Sequence, residues 1–199
     1  MPQKEIIFNL FKPNFKKNNY LIIIFLLTIS STFLCLFFVG NHSLTAHDEL
    51  LYVNRANLMI ESGDWFTPFS KPHLKLAGSY WFTALSLLLF GQNEFAARLP
   101  SYIFSLGTLY IFYCLNKDLI NQEVARLSTL ILSTSFLWFS YGHYCSPDTF
   151  FVFINILALY YLSKINSSSN NQGDYKYIFI SACLFSFGFF IRTYFELLP

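Results

Sequence analysis

Apolar runs of membrane-spanning length alternate with polar segments along this chain. The first run, Tyr20–Val39, contains 20 residues without a charge, and a helix of that length spans about 30 Å, the thickness of the hydrocarbon core of a bilayer. Further runs follow at residues 99–115, 124–141, 149–162 and 177–195. The pattern predicts an all-α integral membrane protein with about five spans.

The charges that flank the first run predict the orientation of the chain. Residues 1–19 carry four lysines against one acidic residue, and an excess of lysine and arginine favours the cytoplasmic side. Residues 40–98 then form a large external loop, and the polar segment 163–176 lies in the cytoplasm. Alternatively, the first run is part of a cleaved signal peptide, although its length favours a span and residues 44–46 form only a weak cleavage site.

The external loop contains the pattern of a short amphipathic helix. Residues 45–48 resemble a capping box, and Tyr52, Ala56 and Met59 follow at a spacing that places them on one helical face. Gly63 is a natural stop. We expect this helix to lie along the membrane surface with its apolar face toward the lipid.

A second short helix is predicted at Tyr80–Phe90, where it ends at Gly91. Trp65, Tyr80 and Trp81 are aromatic residues of the kind that anchor a protein at the level of the lipid headgroups. The loop therefore predicts membrane-surface helices before the second span.

Composition supports the membrane assignment. Only 12% of the 199 residues are charged and 54% are hydrophobic, whereas soluble domains contain about 25% charged residues. The net charge of +2 forms no basic stripe, so we expect no nucleic-acid partner. The four cysteines show neither metal-ligand spacing nor a disulfide framework, and we interpret them as small buried apolar residues.

Four ionisable residues gather at the external end of this predicted topology: Asp48, Lys75, Asp148 and Arg192. Arg192 lies inside an apolar run, where a charge is costly and usually faces a cavity or a partner. Each residue has a simpler explanation. Arg192 could reach the headgroups, Asp148 and Asp48 could stabilise helix starts, and Lys75 could be solvated. Their joint occurrence on one face favours a site.

This set of residue types suits the transfer of a group from a phosphate. Two cations can neutralise the charge that develops on a departing phosphate, and a carboxylate can take the proton of an acceptor hydroxyl. A donor carried on a lipid phosphate would present its head where these residues gather.

Two segments carry a resemblance to a known family. The run from Asp48 and Glu49 to GDWFTP, and then YWFTALSLLLFGQNEFAARLPS, resemble the N-terminal part of the polyprenyl-phosphate-sugar-dependent glycosyltransferases. These include aminoarabinose lipid A transferases and relatives of the dolichyl-phosphate-mannose-protein mannosyltransferases. The resemblance covers about residues 20–199 and implies the GT-C fold, with many membrane spans and surface helices in the first external loop.

The resemblance also implies roles for single residues. Asp48 matches the family's acidic residue in the first external loop, thought to act as catalytic acid or base. Lys75 falls at the lysine that contacts the donor phosphate, and Asp148 matches the acid of the second external turn. We therefore predict Asp48, Lys75 and Asp148 as catalytic residues.

Three further residues are predicted to bind substrate. Glu49 matches the neighbour of the catalytic acid, and Tyr80 lies in the matching segment. Arg192 falls where the family often has a lysine that could hold the lipid phosphate. Arginine is a credible but not equivalent phosphate contact.

Departures from the family pattern leave the cofactor unknown. Leu74 replaces a glutamate that can bind metal in relatives, and residues 76 and 77 replace two prolines. His47, His73 and His143 could substitute as ligands of a divalent metal, but lone loop histidines more often are not ligands, so no metal ligand is assigned.

The expected function is transfer of a sugar from a polyprenyl-phosphate carrier to lipid A or another envelope acceptor, with a protein acceptor also open. The reaction would take place on the periplasmic face of a bacterial inner membrane, with membrane lipids as further partners. One alternative is a truncated, non-catalytic remnant or a subunit of such an enzyme. Another is a small transporter, which would place polar residues near the middle of its spans.

Overall fold

The computed structural model describes residues 43–44, 48–66, 77–165 and 172–191, with Asp48, Gln172, Gly173 and Phe190 described by their backbone only. All regular structure within these residues is helical. The helices are α1 (Asp48–Ser62), α2 (Gly78–Phe90), α3 (Glu94–Leu119), α4 (Gln122–Thr134), α5 (Phe136–His143), α6 (Asp148–Ser163) and α7 (Gln172–Ile191).

The apolar face of α1 is buried inside the protein. Tyr52, Ala56 and Met59 are at most 6% exposed, and they belong to one core cluster with residues of α2 and α3. The predicted face is confirmed, but its expected contact with lipid is wrong, because α2 and the start of α3 cover it. The helix ends as predicted at Gly63, which has a positive φ of 69° and donates its N–H to the carbonyl of Met59 at 3.0 Å.

Helix α2 contributes to two apolar clusters, one shared with α1 and α3 and the other with α6 and α7. Tyr80 is completely buried, so the prediction that its ring anchors at the headgroups is wrong. Trp81 is half-buried; its Nε1 donates to the carbonyl of Trp65 at 2.7 Å, and its ring stacks on Phe187 of α7 with centroids 6.3 Å apart. The helix ends at Gly91, as predicted, with φ at 85°.

Helix α3 runs through a proline because a side chain of α2 compensates for the missing N–H. Asn93 caps the helix by accepting a hydrogen bond from the N–H of Ala96 at 2.8 Å. Pro100 cannot donate to the carbonyl of Ala96, four residues earlier. The hydroxyl of Ser86 donates to that carbonyl instead, at 2.6 Å. The bond also fixes α2 against α3.

The predicted span 124–141 is two helices. The chain leaves the helix at Ser135, whose backbone is extended at φ −69° and ψ 136°. The Ser135 hydroxyl donates to the carbonyl of Leu132 at 2.8 Å and accepts the N–H of Trp138 at 3.4 Å. Serine competes with helical hydrogen bonding in this way and then caps the next helix. The continuous helix expected here is therefore wrong.

Helices α3, α6 and α7 form the body of the bundle, in which α6 packs against both of the others. Small residues permit close crossings. A Cβ atom at Gly107 would lie 2.9 Å from the ring of Phe153, and one at Gly142 would lie 2.8 Å from Oγ of Ser105. The last two predicted spans agree with α6 and largely with α7, apart from the residues after 191, which lie outside the described part.

Length and composition give a limited answer on membrane crossing. Among the described residues, no single helix is both long and apolar enough to cross a bilayer. Helices α5 and α6 together are long and apolar enough, but the chain bends by 116° between them. The predicted first span, Tyr20–Val39, lies outside the described residues. The positions and orientation of the spans therefore stay predictions.

Candidate active site

A buried ion pair joins the start of α1 to α3. The side chain of Glu49 has no exposed surface, and that of Arg98 is 8% exposed. The guanidinium binds both carboxylate oxygens, with Nε donating to Oε1 at 2.8 Å and Nη2 donating to Oε2 at 2.8 Å. This two-pronged geometry is the strongest form of an arginine–carboxylate contact.

The same two side chains also hold two loop segments. The N–H of Cys145, in the connection between α5 and α6, donates to Oε1 of Glu49 at 2.9 Å. Nη2 of Arg98 donates to the carbonyl of Ser43 at 3.2 Å. One ion pair thus connects four segments of the chain, and we call the set Ser43, Glu49, Arg98 and Cys145 the hub.

The hub compensates a charge that would otherwise be costly. A carboxylate removed from water loses several kcal/mol of hydration, and only pairing and hydrogen bonding offset that loss. The hydrogen bond to Glu49 raises the pKa of Arg98 above its ordinary value, so the guanidinium stays charged. Loss of either partner would leave a buried charge, which typically destabilises a fold by about 3–5 kcal/mol.

Asp148 is the first residue of α6 and stands close to the hub in sequence. Its N–H donates to Oγ of Ser146 at 3.2 Å. The Ser101 hydroxyl of α3 donates to the carbonyl of Ser146 at 2.9 Å and accepts a hydrogen bond from the N–H of Ser146 at 3.2 Å. The loop before Asp148 is therefore fixed by Glu49 through Cys145 and by Ser101, and Asp148 itself is half-buried.

Asp48 is the first residue of α1 and directly precedes Glu49. Because Glu49 binds the N–H of Cys145, the N-terminal ends of α1 and α6 lie side by side. The structure thus places the backbone of Asp48 and the whole of Asp148 at one end of the bundle, two of the three residues predicted to be catalytic.

The two predicted cations, Lys75 and Arg192, lie outside the described residues, but their neighbours meet. The hydroxyl of Ser79, at the start of α2, donates to the carbonyl of Ile191, the last residue of α7. Ile191 is 1% exposed and packs in a cluster with Phe150, near the start of α6. Ser79 and Ile191, which lie near the two cations in sequence, therefore belong to the end of the bundle that carries Asp148.

The other two predicted substrate-binding residues have no exposed surface. Tyr80 is completely buried, with its ring 5.8 Å from the ring of Tyr52, and Glu49 is occupied by the hub. Both side chains hold the helices around the site. Direct contact of either one with a substrate stays a prediction.

No group of three or more His, Cys, Asp or Glu side chains within the described ranges could hold a metal ion. Of the three histidines considered as ligands, His47 and His73 lie outside those ranges. His143 donates from Nδ1 to the carbonyl of Phe139, 2.6 Å away. The described residues thus assign no metal ligand.

Arg98 is the residue at this end of the bundle that sequence reasoning missed. It lies in the apolar segment FAARLPS, and a charge in such surroundings signals a partner or a cavity. Arg192 is singled out because it is an arginine within an apolar segment, and Arg98 has the same surroundings. This feature indicates a buried ion pair for Arg98, but it does not identify Glu49 as the partner.

Comparison with known proteins identifies the family. The sequence profile described as dolichyl-phosphate-mannose-protein mannosyltransferase matches residues 76–199, more than half of the chain. The chain belongs to this family. Membership confirms the resemblance predicted from the two motifs, and the matched region contains Arg98, Asp148 and Arg192 of this mannosyltransferase-family chain.

Individual relatives of this family member cover it in part. An uncharacterized protein of Aquifex aeolicus is 30% identical over 68% of this chain and 28% of its own length. An undecaprenyl phosphate-alpha-4-amino-4-deoxy-L-arabinose arabinosyl transferase of Proteus mirabilis is 34% identical to this chain, over 60% of the chain and 24% of the relative. The transferase of the same name from Shewanella sediminis is 30% identical over 55% of this chain and 21% of its own length. The chain thus spans about a quarter of the length of these relatives.

A solved structure has the same fold as this family member. The crystal structure of ArnT from Cupriavidus metallidurans in the apo state matches 87% of this chain and 33% of its own, with a TM-score of 0.73 and 17% sequence identity. At that identity the match establishes a common helical fold. It confirms that the described part of the chain has the all-helical fold predicted from the resemblance, whereas its membrane spans stay predictions.

Proposed function

We propose that this chain forms the active end of a membrane glycosyltransferase that takes a sugar from a polyprenyl-phosphate carrier and transfers it to an envelope acceptor such as lipid A. Family membership supports the reaction class. The printed names of the arabinosyl transferases support an undecaprenyl-phosphate donor. The resemblance to lipid A transferases supports an envelope acceptor.

The contact between Glu49 and Cys145 is the observation that carries the proposal. At 2.9 Å it joins the helix that begins at Asp48 to the turn that precedes Asp148, so two acidic residues 100 positions apart start neighbouring helices. The bond between Ser79 and Ile191 adds the sequence neighbours of Lys75 and Arg192 to the same end. The reaction needs an acid that accepts a proton and cations that stabilise a phosphate. Asp48 and Asp148 would supply the acids, and Lys75 and Arg192 the cations.

In the proposed reaction the acceptor oxygen forms a bond to the anomeric carbon of the sugar while the bond from that carbon to the phosphate oxygen breaks. Asp48 takes the proton of an acceptor hydroxyl as general base. If the acceptor is a phosphate, which is already ionised, Asp48 orients it. Asp148 positions the sugar or Lys75.

The departing group is polyprenyl phosphate, which gains negative charge as the bond breaks. Lys75 and Arg192 stabilise that charge, and fixed cations are most effective where water is excluded. A lysine acts as a point charge, whereas an arginine can bind two phosphate oxygens at once. Two different cations can therefore hold both the bridging and the terminal oxygens.

We place this site at the periplasmic face of a bacterial inner membrane, with the N-terminus in the cytoplasm. One structural feature supports contact with lipid. Helix α2 ends in an apolar patch whose side chains are between 48% and 68% exposed, formed by Leu85, Leu88, Leu89 and Phe90. An exposed apolar patch of this kind is typical of a membrane or protein contact.

Two substitutions test the assignment of the catalytic residues. In membranes that contain the protein, we expect Asp48→Asn to lower transfer about 10²–10⁴-fold through loss of the base. Lys75→Ala should lower it about 10²–10³-fold through loss of charge stabilisation. Transfer of radiolabelled sugar from a purified polyprenyl-phosphate donor measures both.

Glu123→Gln is the matched control, because Glu123 is exposed in the first turn of α4 and away from the proposed site. Near-normal transfer by Asp48→Asn would remove that residue from the reaction. If the protein uses a nucleotide sugar when no polyprenyl-phosphate sugar is supplied, the donor assignment is wrong.

A non-catalytic remnant or a subunit is the second candidate. The chain spans about a quarter of the length of each of these relatives. Transfer by the purified chain alone would exclude this candidate. Transfer that appears only after a second membrane protein is added would support the subunit.

A further inference from the structure

We propose that Arg98 is a positioning residue for sugar transfer. It does not touch the substrate but acts through Glu49, which sets the relative position of Asp48 on α1 and Asp148 on α6. The inference rests on the proposed function, since it assumes that these two acids share one site. It adds a residue to which the sequence assigned no role.

The geometry of the carboxylate carries the first step. Oε1 of Glu49 accepts hydrogen bonds from Nε of Arg98 at 2.8 Å and from the N–H of Cys145 at 2.9 Å, and Oε2 accepts one from Nη2 at 2.8 Å. Arg98 thus fixes the plane of the carboxylate. With that plane fixed, the lone pairs of Oε1 restrict the direction from which the N–H of Cys145 can approach.

The position of Glu49 within its helix carries the second step. Glu49 is the second residue of α1, and successive side chains of a helix diverge by about 100°. Holding Glu49 inward therefore fixes the rotation of α1 about its axis at the turn that contains Asp48. The hub sets two variables at once, the rotation of α1 and the distance from α1 to the turn before Asp148.

The third step concerns the choice of arginine. Nη2 of Arg98 binds the carbonyl of Ser43 at 3.2 Å in addition to Oε2 of Glu49. A rigid planar fork can make all three contacts in a fixed arrangement, whereas a lysine ammonium is a single point charge on a flexible stem. We therefore expect Arg98→Lys to keep the charge and lose the alignment.

The test compares Arg98→Lys and Glu49→Gln with wild type in purified, detergent-solubilised protein. We expect kcat per folded molecule to fall about 10²-fold, the effect of misplacing a reacting group by about 1 Å, while KM for the polyprenyl-phosphate donor changes less than about two-fold. Glu49→Gln keeps an acceptor for the N–H of Cys145 and is a second, independent variant of the same contact. The folded fraction is measured by size-exclusion chromatography.

Asp118→Asn is the matched control. Asp118 forms the other described ion pair, with Lys164 at 2.5 Å, and both side chains are more than one-third exposed. Its loss should leave kcat unchanged. A role of the hub in folding alone would lower the yield of Arg98→Lys and leave kcat per folded molecule at the wild-type value, which would overturn the inference.

A distance measurement tests the same inference without any activity. Leu51 on α1 is 40% exposed and Tyr144 in the turn before α6 is 38% exposed, so both accept spin labels. We expect the distribution of label–label distances to broaden in Arg98→Lys but not in Asp118→Asn. An unchanged distribution in Arg98→Lys would contradict the inference.

Failure of this inference is distinguishable from failure of the proposed function. Loss of transfer in Asp48→Asn together with wild-type kcat in Arg98→Lys would leave the proposed function intact and remove Arg98. Wild-type kcat in Asp48→Asn would remove Asp48 from the reaction and this inference with it, whereas a lack of transfer by the wild type from any polyprenyl-phosphate sugar would remove the proposed function.

Discussion

At the scale of the residue, the thiol of Cys145 shows how burial decides reactivity next to a charged pair. The side chain is 1% exposed and lies 3.8 Å from the hydroxyl of Thr83. Burial raises the pKa of the thiol to about 12. The negative charge of Glu49 acts in the same direction, whereas the contact with Thr83 and the charge of Arg98 oppose it. Cys145 therefore stays neutral at physiological pH.

This leads to a prediction for a variant in which Cys145 is the only cysteine. Since the thiolate is the reactive form, a pKa of about 12 leaves about one molecule in ten thousand reactive at pH 8. We expect iodoacetamide to modify folded protein at least about 100-fold more slowly than the same protein denatured in SDS. The rate in folded protein should rise about tenfold per pH unit. Equal rates in the two states would show that Cys145 is accessible.

The neighbours Asp48 and Glu49 show which residue roles could be predicted from sequence. Both are predicted as site residues because the acidic pair is part of the family motif. Sequence could not show that Glu49 points into a hub, because its partners are 49 and 96 positions away. Such pairs form only when the helices pack, and the spacing of residues along the chain does not encode them.

At the scale of the element, α3 depends on a neighbouring helix for one of its backbone groups. The carbonyl of Ala96 loses its helical donor to Pro100 and receives the hydroxyl of Ser86 at 2.6 Å. A buried carbonyl without a donor costs about 1–3 kcal/mol. The proline therefore fixes which residue of α2 must pack at this point.

We expect Ser86→Ala to lower the free energy of unfolding by about 1–3 kcal/mol because it leaves that carbonyl without a donor. Pro100→Ala restores a backbone N–H, so the double variant Ser86→Ala with Pro100→Ala should recover much of the loss. Ser128→Ala is the control, since the Ser128 hydroxyl bonds to a carbonyl of its own helix at 3.2 Å. Denaturation in mixed micelles measures all three. Equal loss in the single and double variants would contradict this account.

The elements themselves were predictable where a local signal marks their ends. Gly63 and Gly91 stop α1 and α2 as expected, because both adopt a positive φ that glycine tolerates best. The break at Ser135 was missed, because the apolar pattern continues across it and a serine within such a run is compatible with a continuous helix. Which partner covers each apolar face was also not predictable, since periodicity alone does not distinguish lipid from protein.

At the scale of the whole molecule, the proposed function requires the loop between α1 and α2 and the loop between α6 and α7 to lie on opposite sides of the membrane. The N-terminal ends of α1 and α6 meet at the hub. The opposite end of α6 carries Lys164, which pairs with Asp118 at the end of α3. The bundle therefore has two chemically different ends.

Accessibility in intact cells tests this arrangement. In a cysteine-free background, we expect a cysteine at Ser70 to react with a membrane-impermeant maleimide and a cysteine at Asn170 to react only after the cells are permeabilised. Labelling of the Asn170 variant in intact cells would overturn the proposed topology. The Ser70 variant after permeabilisation is the control for total reactive protein.

The hydrogen bond from Ser79 to the carbonyl of Ile191 has a consequence for biosynthesis. It links positions 112 residues apart, so the start of α2 cannot reach its final place until the end of α7 has left the ribosome. Contacts of such long range form late, because closing a long loop costs entropy before the contact stabilises anything. Until α7 has been synthesised, the start of α2 therefore depends on its packing against α1 and α3.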